Sequence, residues 1–394
     1  MAYTVLVVSV VMALSPLVAA LLRRAVAVPL VVIEILLGML VGPTVLNWIV
    51  VDGLLDAVAE FGLAMLFFMA GMEIDFRLIR GRPIRRSAVG WLLSLAGGIV
   101  AGVLLASTTT AGIFIGVALC STALGTLLPI LIDTKAMRTP FGTAVTAVGA
   151  VGEFGPLLAI SIFLSSREPQ NSAIVLIAFV VVAFGAIFLA ARGKHRSLHG
   201  LIAATLHTSG QFAVRLVVLV IAALVTLSVL LGLDMLLGAF AAGVLVQYLL
   251  ASAPPVDAKL VRSKLDGVAF GVFVPIFFIT TGVGFDLRGL LADTSSLVLV
   301  PVFLVLLLVV RGLPGLLSAP PGSTGADKRA LVLMTATGLP IIVAVTAIGQ
   351  DDGALAAGTA TALIGAGMLS VLLFPLLAST VRRTPTDAQA SADH

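Results

Sequence analysis

The chain has 394 residues, 60% of them apolar and 11% charged, with a formal net charge of +4, mean hydropathy +1.21 and one cysteine. Such a composition cannot build an ordinary water-facing surface, which excludes a soluble enzyme and a nucleic-acid binder, and a lone cysteine excludes an internal disulfide. The isoelectric point of about 9.6 is then a matter of topology and of contact with anionic headgroups.

Apolar runs of roughly 20 residues, enough to cross a hydrocarbon core of about 30 Å as a helix, recur near residues 3–22, 28–46, 53–72, 87–107, 111–131, 139–165, 173–191, 213–232, 234–250, 266–284, 296–318, 329–349 and 355–380. This predicts an all-α polytopic membrane protein of about 13 spans. The first run lacks a basic start and a small-residue cleavage site, so Met1 to Leu22 is read as an uncleaved span. All 23 Lys and Arg except Arg167, Arg215, Arg288 and Arg311 fall in loops after odd-numbered spans. The positive-inside rule then puts the N-terminus outside and the C-terminus in the cytoplasm, in the cell membrane.

Span 2 carries Glu34 and span 3 carries Glu60, each a turn or two from an end, where packing or a dimer contact is the expected role. Span 5 holds Ser121, Thr122, Gly125, Thr126 and Pro129. Glycine and proline loosen the helical ladder and hydroxyls satisfy the freed groups, so a broken helix is expected near the membrane centre, with a merely kinked helix as the alternative. Half-helix ends and carbonyls suit a partly dehydrated cation, which makes Ser121, Thr122 and Thr126 candidate ion contacts.

In span 6, Glu153 lies far enough beyond Pro140, roughly 20 Å along a helix, to sit inside the hydrocarbon core. Ionisable groups at depth are costly and mark ion or proton paths. A carboxyl group there can hold a proton or, once ionised, accept a cation, so Glu153 is the candidate site for a transported monovalent cation and for H⁺ in turn. The structural alternative is a neutral glutamic acid hydrogen-bonded to a neighbouring helix.

Span 7 (173–191) reads as a linker helix, and residues 200–211 form a mildly amphipathic stretch near His195, His199 and His207, where a metal site or a weak pH-sensing role has little support. Asp234 opens span 9. Arg311 lies deep in span 11; a permanently protonated guanidinium needs a carboxylate or helix-end carbonyls, and Glu153 is the expected partner, with snorkelling toward the cytoplasm as the alternative. Thr335, Thr337, Gly338 and Pro340 predict a second broken helix in span 12, with Thr337 a further candidate ion contact. No cofactor is expected.

Repeats emerge from motif order. Ile33-Glu-Ile-Leu-Leu-Gly38 matches Leu233-Asp-Met-Leu-Leu-Gly238; Phe67-Phe-Met-Ala-Gly71 followed by Asp75-Phe-Arg77 matches Phe277-Phe-Ile-Thr-Thr-Gly282 followed by Asp286-Leu-Arg288; and Ser121–Ile130 echoes Thr335–Ile341. The offset of seven spans is odd, so the halves are inverted in the membrane. One transmembrane domain over 1–384 is expected, with repeat one at about 3–165, the linker at about 173–191, repeat two at about 213–380 and a short cytoplasmic tail at 385–394.

The stretches Phe61–Asp75 (FGLAMLFFMAGMEID), Ser121–Glu153, Leu237-Gly-Ala-Phe-Ala-Ala-Gly243 and Phe277-Phe-Ile-Thr-Thr-Gly282 together resemble the monovalent cation:proton antiporter superfamily, on its Kef-type and sodium/proton exchanger side. The resemblance covers almost the whole chain. It implies a homodimer, a dimerisation domain, and a six-helix core domain that slides like an elevator, with the broken helices in spans 5 and 12 and the essential carboxylate in span 6. The family's paired acidic motif falls on Gly152 and Glu153, so its first member is missing, and the basic residue often found before the second broken helix falls on Arg311. The family's Arg-Gly-Glu is replaced by Gly338-Leu-Pro340. Few residues come after Arg383 and the soluble segments hold no G-x-G-x-x-G, so an appended nucleotide-binding regulatory domain is not expected.

Electroneutral exchange of Na⁺ or K⁺ for H⁺ through Glu153 is the resulting expectation. The competing readings are a gated cation efflux channel on the same scaffold and a sodium-coupled organic-anion symporter on a related fold. An intramembrane enzyme would need an H-E-x-x-H or a paired catalytic set at depth, and the spans carry neither.

Overall fold

The computed structural model describes residues 2–22, 28–73, 81–163, 211–251 and 254–382, with positions 174, 175, 177–179, 181 and 185. Among the described residues all regular structure is helical. In chain order the helices are α1 (Ala2–Leu22), α2 (Leu30–Val41), α3 (Gly53–Glu73), α4 (Arg82–Leu105), α5 (Thr109–Leu119), α6 (Leu124–Asp133), α7 (Pro140–Phe163), α8 (Phe212–Leu230), α9 (Met235–Leu250), α10 (Pro255–Val268), α11 (Val274–Val283), α12 (Leu287–Ala292), α13 (Thr294–Leu306), α14 (Gly325–Thr335), α15 (Pro340–Asp351) and α16 (Ala357–Arg382).

Among the described residues, 10 helical stretches are long and apolar enough to cross a bilayer: α1, α3, α4, α7, α8, α16, the runs α5–α6, α10–α12 and α14–α15, and α13 with its extension to Ser318. One expected span comes out shorter, and another starts one residue later. α2 has 12 residues, starting after Pro29 and stopping before Gly42; α9 has 16, because Asp234 caps its N-terminus by accepting from Leu236 N–H at 2.8 Å. The predicted linker helix 173–191 lies outside the described residues apart from a few positions, as do His195, His199, His207 and the 385–394 tail.

Two proline-induced π turns shape the second half of the chain. Pro275 and Pro314 have no N–H for the carbonyl four residues back, at Gly271 and Val310. Both of those residues lie in π-helical turns, Ala269–Phe273 and Leu307–Gly312, and after the second turn the chain tightens to a 3-10 helix at Leu313–Ser318.

The contacts divide the chain into two compact units. One comprises 1–12, 49–75 and 157–281. Its helices pack through small residues: a Cβ on Gly71 would strike the Phe240 carbonyl and a Cβ on Gly243 the Phe68 carbonyl, so α3 and α9 touch backbone to backbone. Phe61 meets Phe273 edge-on at 4.7 Å between ring centroids.

The other unit comprises 13–48, 76–156 and 282–394. There α4 and α5 approach through Gly98 and Gly116, where an added Cβ would lie 2.6 Å from backbone. An apolar cluster of Leu127, Leu131, Phe141, Val145, Leu331 and Met334 ties α6 and α7 to α14. Beside it Arg382 Nε donates to Asp327 Oδ1 at 3.0 Å and its guanidinium lies 3.9 Å above the Phe141 ring.

Candidate functional site

Both expected helix breaks are present, and each has a local cause. α5 ends where Ser121 Oγ donates to the Ala118 carbonyl at 2.8 Å and Cys120 Sγ to the Val117 carbonyl at 3.2 Å, side chains taking acceptors that the helix would use if it continued. α14 ends where Thr335 Oγ1 donates to Leu331 O at 2.6 Å and Thr337 Oγ1 to Leu333 O at 3.1 Å, and Pro340 opens α15 without an N–H.

The two breaks bond to one another. Thr122 Oγ1 donates to Thr335 O at 2.6 Å and Ala123 N–H to Thr337 O at 2.8 Å. The N-terminus of α6 can therefore be traced donor by donor: Thr122 N–H goes to Gly152 O at 3.1 Å, Ala123 N–H to Thr337 O, and Leu124 and Gly125 N–H to Glu153 Oε1 at 2.8 and 3.4 Å. Glu153, 6% exposed, thus sits on the positive end of the α6 dipole, with two backbone N–H groups aimed at one carboxyl oxygen. Gly125 beside it is exposed.

Arg311 is 1% exposed, which rejects snorkelling. Its Nε donates to Thr122 Oγ1 at 2.8 Å and a terminal nitrogen to Val148 O at 3.0 Å. These hydrogen bonds of Arg311 run to the hydroxyl and backbone that frame the carboxylate. Gly152 makes the room. A Cβ there would lie 2.5 Å from the Arg311 guanidinium and 2.6 Å from Thr122 Cβ.

Of the expected ion contacts, Thr122, Ser121, Thr126 and Thr337 all lie at the two breaks, but they are not equivalent. Thr122 links three elements. Ser121 and Thr337 spend their hydroxyl protons on their own helices, and Thr126 does the same on Ala123 O at 2.9 Å. Glu34, expected near an interface, is 2% exposed.

Sequence reasoning missed Ser370 on α16, which accepts from Gly338 N–H at 3.2 Å and donates to Gly338 O at 3.1 Å, bracing the second break. Nothing in its apolar surroundings marks it. It also missed the role of Gly149 and Gly155, whose i, i+3, i+6 spacing with Gly152 was a readable signal: a Cβ on Gly149 would lie 2.6 Å from Leu124, and one on Gly155 would strike the Trp91 indole.

The family model described as "Sodium/hydrogen exchanger, transmembrane" matches residues 9–381. A Bacillus subtilis protein named as a candidate Na(+)/H(+) antiporter, YjbQ, is 28% identical over 377 residues, covering 90% of this chain and 59% of that protein, so the chain spans about three-fifths of that relative's length. The Na(+)/H(+)-K(+) antiporter GerN of Bacillus cereus is 25% identical over 357 residues, with 88% of each chain covered. Among solved structures, the sodium proton antiporter MjNhaP1 of Methanocaldococcus jannaschii superposes with a TM-score of 0.62 at 16% identity, over 94% of this chain and 95% of that one, which establishes a shared fold.

Proposed function

The chain belongs to the transmembrane sodium/hydrogen exchanger family, and from that premise we propose that it exchanges a monovalent cation, Na⁺ or K⁺, for H⁺ through Glu153. The observation that carries the residue assignment is the bonding of Glu153 Oε1 to the N-terminus of α6, at the point where the two broken helices are tied together.

In this reading protonated Glu153 releases its proton to one aqueous face past the exposed Gly125. The resulting carboxylate is held by the Leu124 and Gly125 N–H groups, and a partly dehydrated cation then binds it, with Thr122 and the hydroxyls and carbonyls of the breaks supplying oxygens. Arg311 is a fixed positive charge that positions Thr122 and balances the ionised carboxylate between cargoes. One titrating carboxylate beside one non-titrating cation gives one cation per proton, an electroneutral cycle.

The inverted six-plus-six repeat over 13 spans belongs to the same proposal, supported by the motif order and by the similar breaks in α5–α6 and α14–α15. So do elevator-type alternating access, supported by the division into two compact units, the homodimer implied by the family resemblance, and an outside N-terminus with a cytoplasmic C-terminus, supported by the placement of Lys and Arg.

The test is exchange in proteoliposomes loaded with a pH-sensitive dye, with Na⁺, K⁺ or Li⁺ added, comparing wild type with Glu153→Gln. Cation-dependent dequenching in wild type and none in the variant is expected; an unchanged variant removes Glu153 from the mechanism. A current under voltage clamp during exchange would count against electroneutrality.

A further inference from the structure

A cavity of about 660 Å³ opens in the unit that holds Glu153, between the start of α4 and the loop joining the 3-10 helix to α14. Arg85, Arg86 and Lys328 line it, and Val89, Leu316 and Leu317 form its apolar side. Its lining, among the described residues, contains no carboxylate; the nearby Asp327 is bonded to Arg382 and to the Thr324 cap.

Its walls are fixed. Ser87 and Ser318 join hydroxyl to hydroxyl at 2.9 Å, and Gly90 lets α4 approach so closely that a Cβ would lie 2.8 Å from Pro314 O. The far wall is a Pro320-Pro321-Gly322 turn, with Gly322 at φ +79 and Ser323 Oγ donating to Pro320 O at 2.7 Å.

A lining that combines three cations with exposed leucine and valine matches an amphiphile with an anionic phosphate. A soluble phosphate ester would use the cations and leave Val89 (48% exposed), Leu316 (37%) and Leu317 (44%) uncovered; an acyl chain covers them. We propose that this cavity binds one anionic phospholipid, its phosphate on Arg85, Arg86 and Lys328 and an acyl chain along Val89, Leu316 and Leu317. The ligand would touch two elements that frame the Glu153 site: α4, whose Trp91 packs beneath Gly155, and the 3-10 segment that continues directly from Arg311. Binding itself does not depend on the exchange assignment.

The test is native mass spectrometry and thermal unfolding of the full chain in neutral detergent. The probes are phosphatidylglycerol, phosphatidylcholine of the same chain length, and glycerol phosphate as a soluble competitor. A retained phosphatidylglycerol adduct with raised melting temperature is expected, weakened on the order of a hundredfold in Arg85→Gln/Arg86→Gln/Lys328→Gln. Lys259→Gln, an exposed cation outside the cavity, should leave it unchanged, and Leu316→Asn/Leu317→Asn should weaken it. Equal retention of phosphatidylcholine, an adduct that survives the triple substitution, or displacement of the lipid by glycerol phosphate would each overturn the proposal.

Discussion

The two broken helices begin from similar sequence and end with different work. The break between α5 and α6 presents its N–H groups to a carboxylate and has an exposed glycine at its edge; the break between α14 and α15 is buried, braced by Ser370, and offers carbonyls to the first. The difference lies in the residues that open the second half-helix. At α6 these are Leu124 and Gly125, both with N–H groups to donate, whereas Pro340 at the start of α15 has none. The first break therefore donates to the carboxylate, and the second supplies carbonyl acceptors to the first.

Changes at the carboxylate should test that asymmetry hardest. Glu153→Gln is expected to reduce cation-driven proton flux to background, roughly a hundredfold or more. Glu153→Asp, one methylene too short to keep the Leu124 contact, should retain a fraction of it.

Arg311→Lys comes next. A lysine cannot reproduce a fork that serves Thr122 Oγ1 and Val148 O together, so a large fall in melting temperature with impaired exchange is expected; a lysine variant with wild-type melting would mean the fork is dispensable.

Gly152→Ala places a methyl where the guanidinium and Thr122 already meet. Overpacking of that kind typically costs about 1–3 kcal/mol, readable by thermal unfolding in detergent.

The most direct comparison of the breaks is Thr122→Val against Thr337→Val. The first removes the donor to Thr335 O and the acceptor for Arg311, about 1–3 kcal/mol for a buried partner left unmade; the second loses one bond within its own helix and should cost less. Equal losses in melting temperature would erase the distinction between the two threonines. Ser370→Ala should give the smallest shift, about 1 kcal/mol, and loosen only the second break, read as faster amide exchange at Gly338.

Much of this was legible in sequence because membrane burial makes polar residues conspicuous. Serine, threonine, glycine and proline in apolar text marked both breaks, and Glu153 and Arg311 stood out as charges at depth. The reach of Arg311 was not legible, since it depends on the π turn before Pro314 and on the space left by Gly152, neither of which is a periodic feature. The length of α2 was overestimated because hydropathy continues smoothly past Gly42, while the backbone stops at a turn. Ser370 was invisible because a single serine in a long apolar helix commonly bonds only to its own turn, and this one also bonds across to Gly338.

The glycine contacts between α3 and α9 carry a consequence for the order of assembly. Gly71 and Gly243 are far apart in the chain, yet each meets the other helix's backbone so closely that no side chain fits. During synthesis α3 emerges long before its partner exists, and the groove at Gly71 must face lipid or a chaperone until α9 arrives. A long-range contact of this kind closes late, so in a ribosome-stalled chain ending before residue 235 a cysteine introduced as Gly71→Cys, in a Cys120→Ser background, should still react with a membrane-permeant thiol reagent.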